Sequence, residues 1–285
     1  MKDDLKLLEP SLFPPLLREI PDSPKQMYVR GALPSFDKKW LAVVGSRAMS
    51  PYGRQACEYL IEGLAGYPIV IVSGLAFGVD AQAHRCALKA GLPTIAVPGS
   101  GLDWGVLYPK AHYNLAKEIL ASGGALMSEE EPKTRATDWT FPKRNRVMAG
   151  MCNATLVIEA REKSGSLITA KLATDYNRDL LVVPGSIFSS ESKGTHQFLR
   201  LGATPVTSPE DILQALGITG GAKDALTRND LSDEEMRVIE LIASPLSRDE
   251  LIRALDMPTS QANILLSTME IKGVIVEELG VVRIR

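Results

Sequence analysis

The sequence predicts an α/β protein: a doubly wound, mostly parallel sheet followed by a small winged-helix module. Three observations carry this. Short apolar runs alternate with segments of helical length from about residue 40 to residue 216. The runs are mostly apolar and not alternating, as in strands covered on both faces. After a stretch rich in Gly and polar residues, the pattern changes to three short amphipathic segments and a terminal hairpin.

Residues 1–40 hold several prolines and form a lead-in to the core. The core, 41–216, opens with "LAVVG" (41–45) and continues through "IVIVSG" (69–74), "TIAVPG" (94–99), "ALMSEE" (125–130), "ATLVIEA" (154–160) and "LLVVPG" (180–185), each bounded by turn residues. Between them lie "YGRQACEYLIEGLAG", "DAQAHRCALKAG" and "GSLITAKLATDYNRD", which have helical period. "GITGGAKDALTRND" (217–230) reads as a linker. Residues 231–285 form the winged-helix-like module, with Gly280 at the hairpin turn.

Composition narrows the function classes. The chain has 285 residues, 45% hydrophobic and 23% charged, which is ordinary for a folded soluble protein. Neither a signal peptide nor an apolar run of membrane-spanning length is present, so a cytoplasmic protein is expected. Cys57, Cys86 and Cys152 are widely spaced, and the three histidines are scattered. They read as core fillers, and no metal site or cofactor is expected. The net charge of −2 hides an asymmetry. Residues 133–171 carry eight cations against three acids, and residues 228–285 carry seven against eleven. Local field, not net charge, decides whether a polyanion binds.

In a doubly wound sheet, ligands meet the carboxyl edge of the strands, so the loops there are the candidates. "GSRAMSPYG" (45–53) contributes Gly45, Ser46 and Arg47, with a helix opening near Pro51 whose free N–H groups suit an anion. It lacks the full dinucleotide glycine spacing. In "SGLAFGVDAQAH" (73–84), Asp80 is placed to cap the next helix, and with His84 it forms a candidate general-base pair. "PGSGLDWGVLYPKAHYN" (98–114) offers Trp104, Tyr108 and Lys110, a stacking-and-cation set suited to single strands. "TFPKRNRVMAG" (140–150) supplies Phe141, Lys143, Arg144, Asn145 and Arg146, cations at a helix start where the macrodipole disfavours them unless an anion is present. "SGSLITAKLA" (164–173) adds Ser164, Gly165, Ser166 and Lys171. Converging on one edge, these loops predict a positive, aromatic-edged groove that fits a single-stranded nucleic-acid backbone.

These blocks, with "FPPLLREIPDSPKQMYVRG", "VIEAREKSGSLITA" and "VPGS", resemble the DNA-processing protein A family (DprA, also called Smf) over about residues 12–285. The resemblance implies a Rossmann-like core that binds single-stranded DNA, helps displace single-strand-binding protein and loads RecA recombinase during natural transformation. It also implies a homodimer through a stretch matching Thr195, His196, Phe198 and Leu199. The family's GSR arginine falls on Arg47, the lysine after its Y-P on Lys110, and the F-P-x-R-N-R arginines on Arg144 and Arg146. A DNA-binding lysine of some members falls on Asp138, with Lys133, Arg135 or Lys143 as substitutes. The N-terminal helical domain of many relatives has no match in the sequence. The winged-helix segment "TSQANILLSTMEI" contains no Lys or Arg, so a protein-contact or regulatory role is expected of that module.

Two alternatives use the same fold: a small-nucleotide sensor, and a phosphoribohydrolase-like enzyme. The second would draw on Glu129, Glu130 or Glu159, but "VPGSGLDWGVLYP" lacks the G-T-x-x-E element of those enzymes. No complete catalytic constellation is present, and a non-enzymatic mediator is expected.

Overall fold

The computed structural model describes residues 5–218, 232–242, 246–271, 274–278 and 280–284. The chain divides into two compact units, Met1–Thr219 and Gly220–Arg285. Apart from 217 and 218, the expected linker lies outside the described residues.

The first unit is built on a nine-stranded sheet: β1 (Leu5–Leu8), β2 (Met27–Gly31), β3 (Lys39–Val44), β4 (Ile69–Ser73), β5 (Thr94–Ala96), β6 (Ala125–Ser128), β7 (Ala154–Val157), β8 (Asp179–Val182) and β9 (Thr204–Pro205). Their spatial order is β1-β2-β6-β5-β4-β3-β7-β8-β9. From β6 to β9 every pairing is parallel. β1 and β2 add an antiparallel edge, which places the lead-in inside the sheet. The order runs outward from β3 through β4, β5 and β6, then jumps back to β7 beside β3. This reversal is the topological switch point of a doubly wound sheet.

The apolar runs explain the layering. Along β3 and β4, Ala42, Val44, Val70 and Val72 face one core, with Leu17, Val147, Met148 and Ala170 from α1 (Pro15–Glu19), α5 (Thr140–Met151) and α6 (Ser166–Asp175). The alternate residues Leu41, Val43, Ile69 and Ile71 face a second core, with Cys57, Leu60, Val79 and Leu213 from α2 (Pro51–Glu62), α3 (Val79–Lys89) and α8 (Pro209–Ala215). A period of two with both faces covered requires uniformly apolar strands. Ile71 is fully buried in this layer, and its replacement by Ala costs about 2–5 kcal/mol. α4 (Tyr113–Ala121) and α7 (Lys193–Arg200) complete the unit.

The second unit is a winged helix. Helices Asp233–Leu241, Arg248–Ala254 and Thr259–Ile271 pack on a three-stranded sheet of Leu246–Ser247, Val281–Ile284 and Ile275–Glu278. Ser232 with Glu235, and Ser247 with Glu250, form reciprocal caps that start the first two helices. Val238, Leu251, Leu266 and Met269 form its own core. Gly280 takes φ +79° at the hairpin turn.

Cys57, Cys86 and Cys152 are free and buried. Among the described residues, no group of His, Cys, Asp or Glu is placed to hold a metal, and no helix is long and apolar enough to cross a membrane.

Candidate nucleic-acid interface

A cleft of about 580 Å³ opens at the switch point. Gly45, Ser46 and Arg47 of the β3–α2 loop form one wall, and Arg161, Lys163, Ser164, Gly165 and Ser166 of the β7–α6 loop form the other. The first two turns of α5 bring Phe141, Arg144 and Asn145 to it. Ser46 is buried; its Oγ donates to Glu191 Oε2 at 3.0 Å and accepts from Ala48 N at 3.2 Å, which fixes the loop beneath Arg47. Arg47 itself is exposed, with its guanidinium 5.0 Å from the centre of the Phe141 ring. Among the described residues it forms no ion pair. A cation held on an aromatic face and not engaged in an ion pair is open to a phosphate.

The α5 cations are placed differently. Arg144 is buried, donates to Val97 O at 3.0 Å and faces Asp80 at 3.7 Å. A Cβ at Gly74 would overlap its guanidinium, so this passage requires glycine. Asp80 accepts from Gly74 N at 3.1 Å instead of capping α3, whose N-cap is Gly78. Burial pushes the Asp80 carboxyl up, and Arg144 opposes that shift. Lys143 pairs with Glu130 at 3.0 Å, and Arg146 grips both oxygens of Glu129 at 2.6 Å. Neither Lys143 nor Arg146 lines the cleft. Asn145 Nδ2 reaches Gly165 O at 3.5 Å and ties α5 to the start of α6. The anions that relieve the macrodipole conflict are therefore the protein's own carboxylates.

Two further expectations are corrected. Asp80 and His84 do not work as a pair: His84 Nδ1 lies 2.8 Å from Thr94 Oγ1, and Asp80 turns to Gly74 and Arg144. Burial pushes the His84 pKa down to about 3, so the ring is neutral. Nor are Ser50 N and Gly53 N, at the start of α2, open to an anion. Glu159 accepts from Ser50 N at 3.0 Å and lies 2.5 Å from Ser50 Oγ, while Ser50 Oγ accepts from Gly53 N at 3.1 Å. With Glu129 and Glu130 paired to cations, all three carboxylates considered for an enzyme are already engaged.

At α6 the N-cap is Gly165, which makes no side-chain cap. Ser164 Oγ accepts from Ser166 N at 3.3 Å and bonds Ser166 Oγ at 2.7 Å. Lys171 is exposed on α6, away from the cleft lining. Arg161 Nε donates to Glu191 Oε1, so one buried carboxylate joins both walls. Glu191 gave no signal in the sequence, because it lies 145 positions from Ser46.

A second cavity, of about 600 Å³, is lined by Trp104, Tyr108, Lys110, Tyr113 and Arg135 among others. Tyr108 and Phe141 stand 5.9 Å apart, and both line a small hollow with Arg47 that adjoins the two cavities. Trp104 is half-buried and packs 4.8 Å from Tyr113, with Arg30 5.0 Å from its ring, so it serves first as a support. Lys110 and Arg135 are exposed here, and Lys133 is exposed nearby in sequence. Asp138 lines the main cleft, and Trp139 beside it is 84% exposed.

The stretch expected to dimerise is partly internal. Thr195 is buried and donates to Ser192 O at 2.9 Å, His196 Nε2 lies 3.1 Å from Gly185 O, and Phe198 and Leu199 pack on the core. Nearby, Ile187, Phe188 and Leu201 are 77%, 92% and 80% exposed. In the second unit, Arg248 pairs with Glu270 at 2.8 Å and Glu277 at 3.0 Å, so carboxylates on the third helix and on the hairpin hold this cation.

Comparison with known proteins follows the same division. The family model described as DNA recombination-mediator protein A matches residues 5–217, and one described as DprA winged helix domain matches residues 221–280. Protein Smf of Escherichia coli is 41% identical over 204 residues, covering 72% of this chain and 54% of that protein. The match thus spans about half the length of that relative. DNA processing protein DprA of Streptococcus pneumoniae is 43% identical over 197 residues, covering 69% and 68%. Among solved structures, DprA from Streptococcus pneumoniae superposes with TM-score 0.67 at 39% identity, covering 75% of this chain and 74% of that one. A structure of DNA processing protein A from Helicobacter pylori, described for its single-stranded DNA binding mode, gives TM-score 0.67 at 30% identity, covering 75% and 96%.

Proposed function

The chain belongs to the DNA recombination-mediator protein A family, and from that premise we propose that it binds single-stranded DNA along the carboxyl edge of its sheet. The observation that carries this reading is Arg47: exposed, without an ion pair among the described residues, and seated on Phe141 over the switch-point cleft. A phosphodiester is held by the guanidinium, and a base stacks where Phe141 and Tyr108 offer ring surface. The hydroxyls and backbone of Ser164, Gly165 and Ser166 supply the opposite wall, and Lys110 with Arg135 extends the path into the second cavity. The single-strand binding described for the Helicobacter pylori relative supports this reading.

No covalent step is assigned to the chain. In support, Glu129, Glu130 and Glu159 are held by Arg146, Lys143 and Ser50. The bound strand passes to RecA recombinase as single-strand-binding protein is displaced in the cytoplasm, in keeping with the resemblance. Self-association uses the exposed side chains of Ile187, Phe188 and Leu201, whose exposure is large for apolar residues. The acidic winged helix is assigned to protein contact.

Fluorescence-anisotropy titration of poly-dT and of a duplex of equal length, at several salt concentrations, tests the reading. Tight single-strand preference that weakens with salt is expected. Equal affinity for the duplex, or negligible binding of both, would refute it.

A further inference from the structure

In a doubly wound sheet, the helix that follows the strand at the switch point ordinarily offers its N-terminal N–H groups to a terminal phosphate. In this chain that position is filled from within. Glu159, 2% exposed, leaves the end of β7 and crosses to the start of α2. Its Oε2 accepts from Ser50 N at 3.0 Å, and its Oε1 accepts from Ser50 Oγ at 2.5 Å. Gly53 completes the fit: a Cβ there would collide with the carboxylate. The geometry is that of a phosphate at a helix N-terminus, with a side-chain anion in its place.

A terminal phosphate carries nearly two charges, whereas each phosphate inside a strand carries one. Arg47 can hold one charge from the cleft side. Lys163, exposed on the opposite wall, can hold a second, but a dianion that reached the α2 N-terminus would meet the Glu159 charge there. We infer that Glu159 is a specificity determinant: an internal counter-anion that closes the α2 N-terminus to free nucleotides and terminal phosphates, leaving the cleft to internal phosphodiesters. The inference rests on the single-strand reading for its biological sense, but its chemistry can be tested separately.

The probes are dTMP and a short dT oligonucleotide with either a 5′-phosphate or a 5′-hydroxyl, bound to wild type, Glu159→Gln and Glu159→Ala. Wild type is expected to bind the two oligonucleotides within about twofold of each other and dTMP not measurably at millimolar concentration. Glu159→Gln removes the charge at nearly constant shape, and Glu159→Ala also opens the space. Both are expected to raise the ratio of 5′-phosphate to 5′-hydroxyl affinity, by about tenfold or more for Ala, and to gain dTMP binding. A folded variant with no gain overturns the inference. So does a wild type that already prefers the 5′-phosphate, a result that needs no variant to fold. If poly-dT binding proves absent, dTMP gain in the variants still supports the role of Glu159 and isolates the failure to the single-strand reading.

Discussion

The β3–α2 loop and the first turns of α5 both bring cations to the carboxyl edge of the sheet, yet their charges do different work. Arg47 has an aromatic ring beneath it and, among the described residues, no ion pair. Lys143, Arg144 and Arg146 each face a carboxylate: Glu130, Asp80 and Glu129. The three clustered cations are thus neutralised in pairs, whereas Arg47 is not held by an ion pair among the described residues. What separates the regions is whether the counter-charge is built in. The α5 cations stabilise the fold around the site, and Arg47 is left for the ligand.

The sharpest way to break this comparison is to remove Arg144. Arg144→Met leaves Asp80 buried without its partner, and the first unit should lose about 3–5 kcal/mol of stability, read by chemical denaturation. Adding Asp80→Leu should recover much of that loss, because an apolar pair of similar volume avoids the desolvation cost. An Arg144→Met protein of wild-type stability would place Arg144 with Arg47 as a ligand residue.

Comparable over its full range, and smaller at any one pH unit, is a pH effect behind the same wall. His84 is neutral when folded, with its pKa pushed down to about 3, whereas the unfolded chain takes up that proton near pH 6.5. The unfolded state therefore binds more protons between these values. Stability should fall as pH drops from about 6.5 toward 3, by up to about 1.4 kcal/mol per pH unit for this one group. His84→Asn should lack that component, so the stability difference between wild type and variant should shrink on acidification. Parallel curves would contradict the burial argument.

Smaller changes are expected elsewhere. Lys143→Ala should alter poly-dT affinity by less than about twofold and stability by at most about 1 kcal/mol, since its partner is an exposed-side ion pair. Removing residues 220–285 should leave poly-dT affinity within about twofold, since the cations near the third helix include Arg248, already held by Glu270 and Glu277. A larger loss from either change would move DNA contacts onto Lys143 or onto the second unit.

Much of the fold was legible because buried parallel strands impose an unmistakable pattern. "IVIV" (69–72) is apolar throughout, since its two faces meet two different cores. The loops at the strand ends could be placed on one edge for the same reason. What the sequence could not show was pairing at a distance. Glu191 joins Ser46 to Arg161, and Glu159 reaches Ser50 across 109 positions. The α5 cluster read as open charge because Asp80, Glu129 and Glu130 lie on other elements and meet it only in the folded protein. Asp80 looked like a cap from its place in the first turn of α3, but a buried arginine draws its carboxylate elsewhere.

The central claim is that Arg47 acts on the ligand while the α5 cations act on the fold. It is tested most directly by the salt dependence of poly-dT binding to wild type, Arg47→Ala and Lys143→Ala. Arg47→Ala alone is expected to lose about tenfold in affinity, about 1.4 kcal/mol, and its log–log salt slope to flatten by about 0.7, the signature of one lost phosphate contact. Equal losses and equal flattening in both variants, or none in Arg47→Ala, would contradict it.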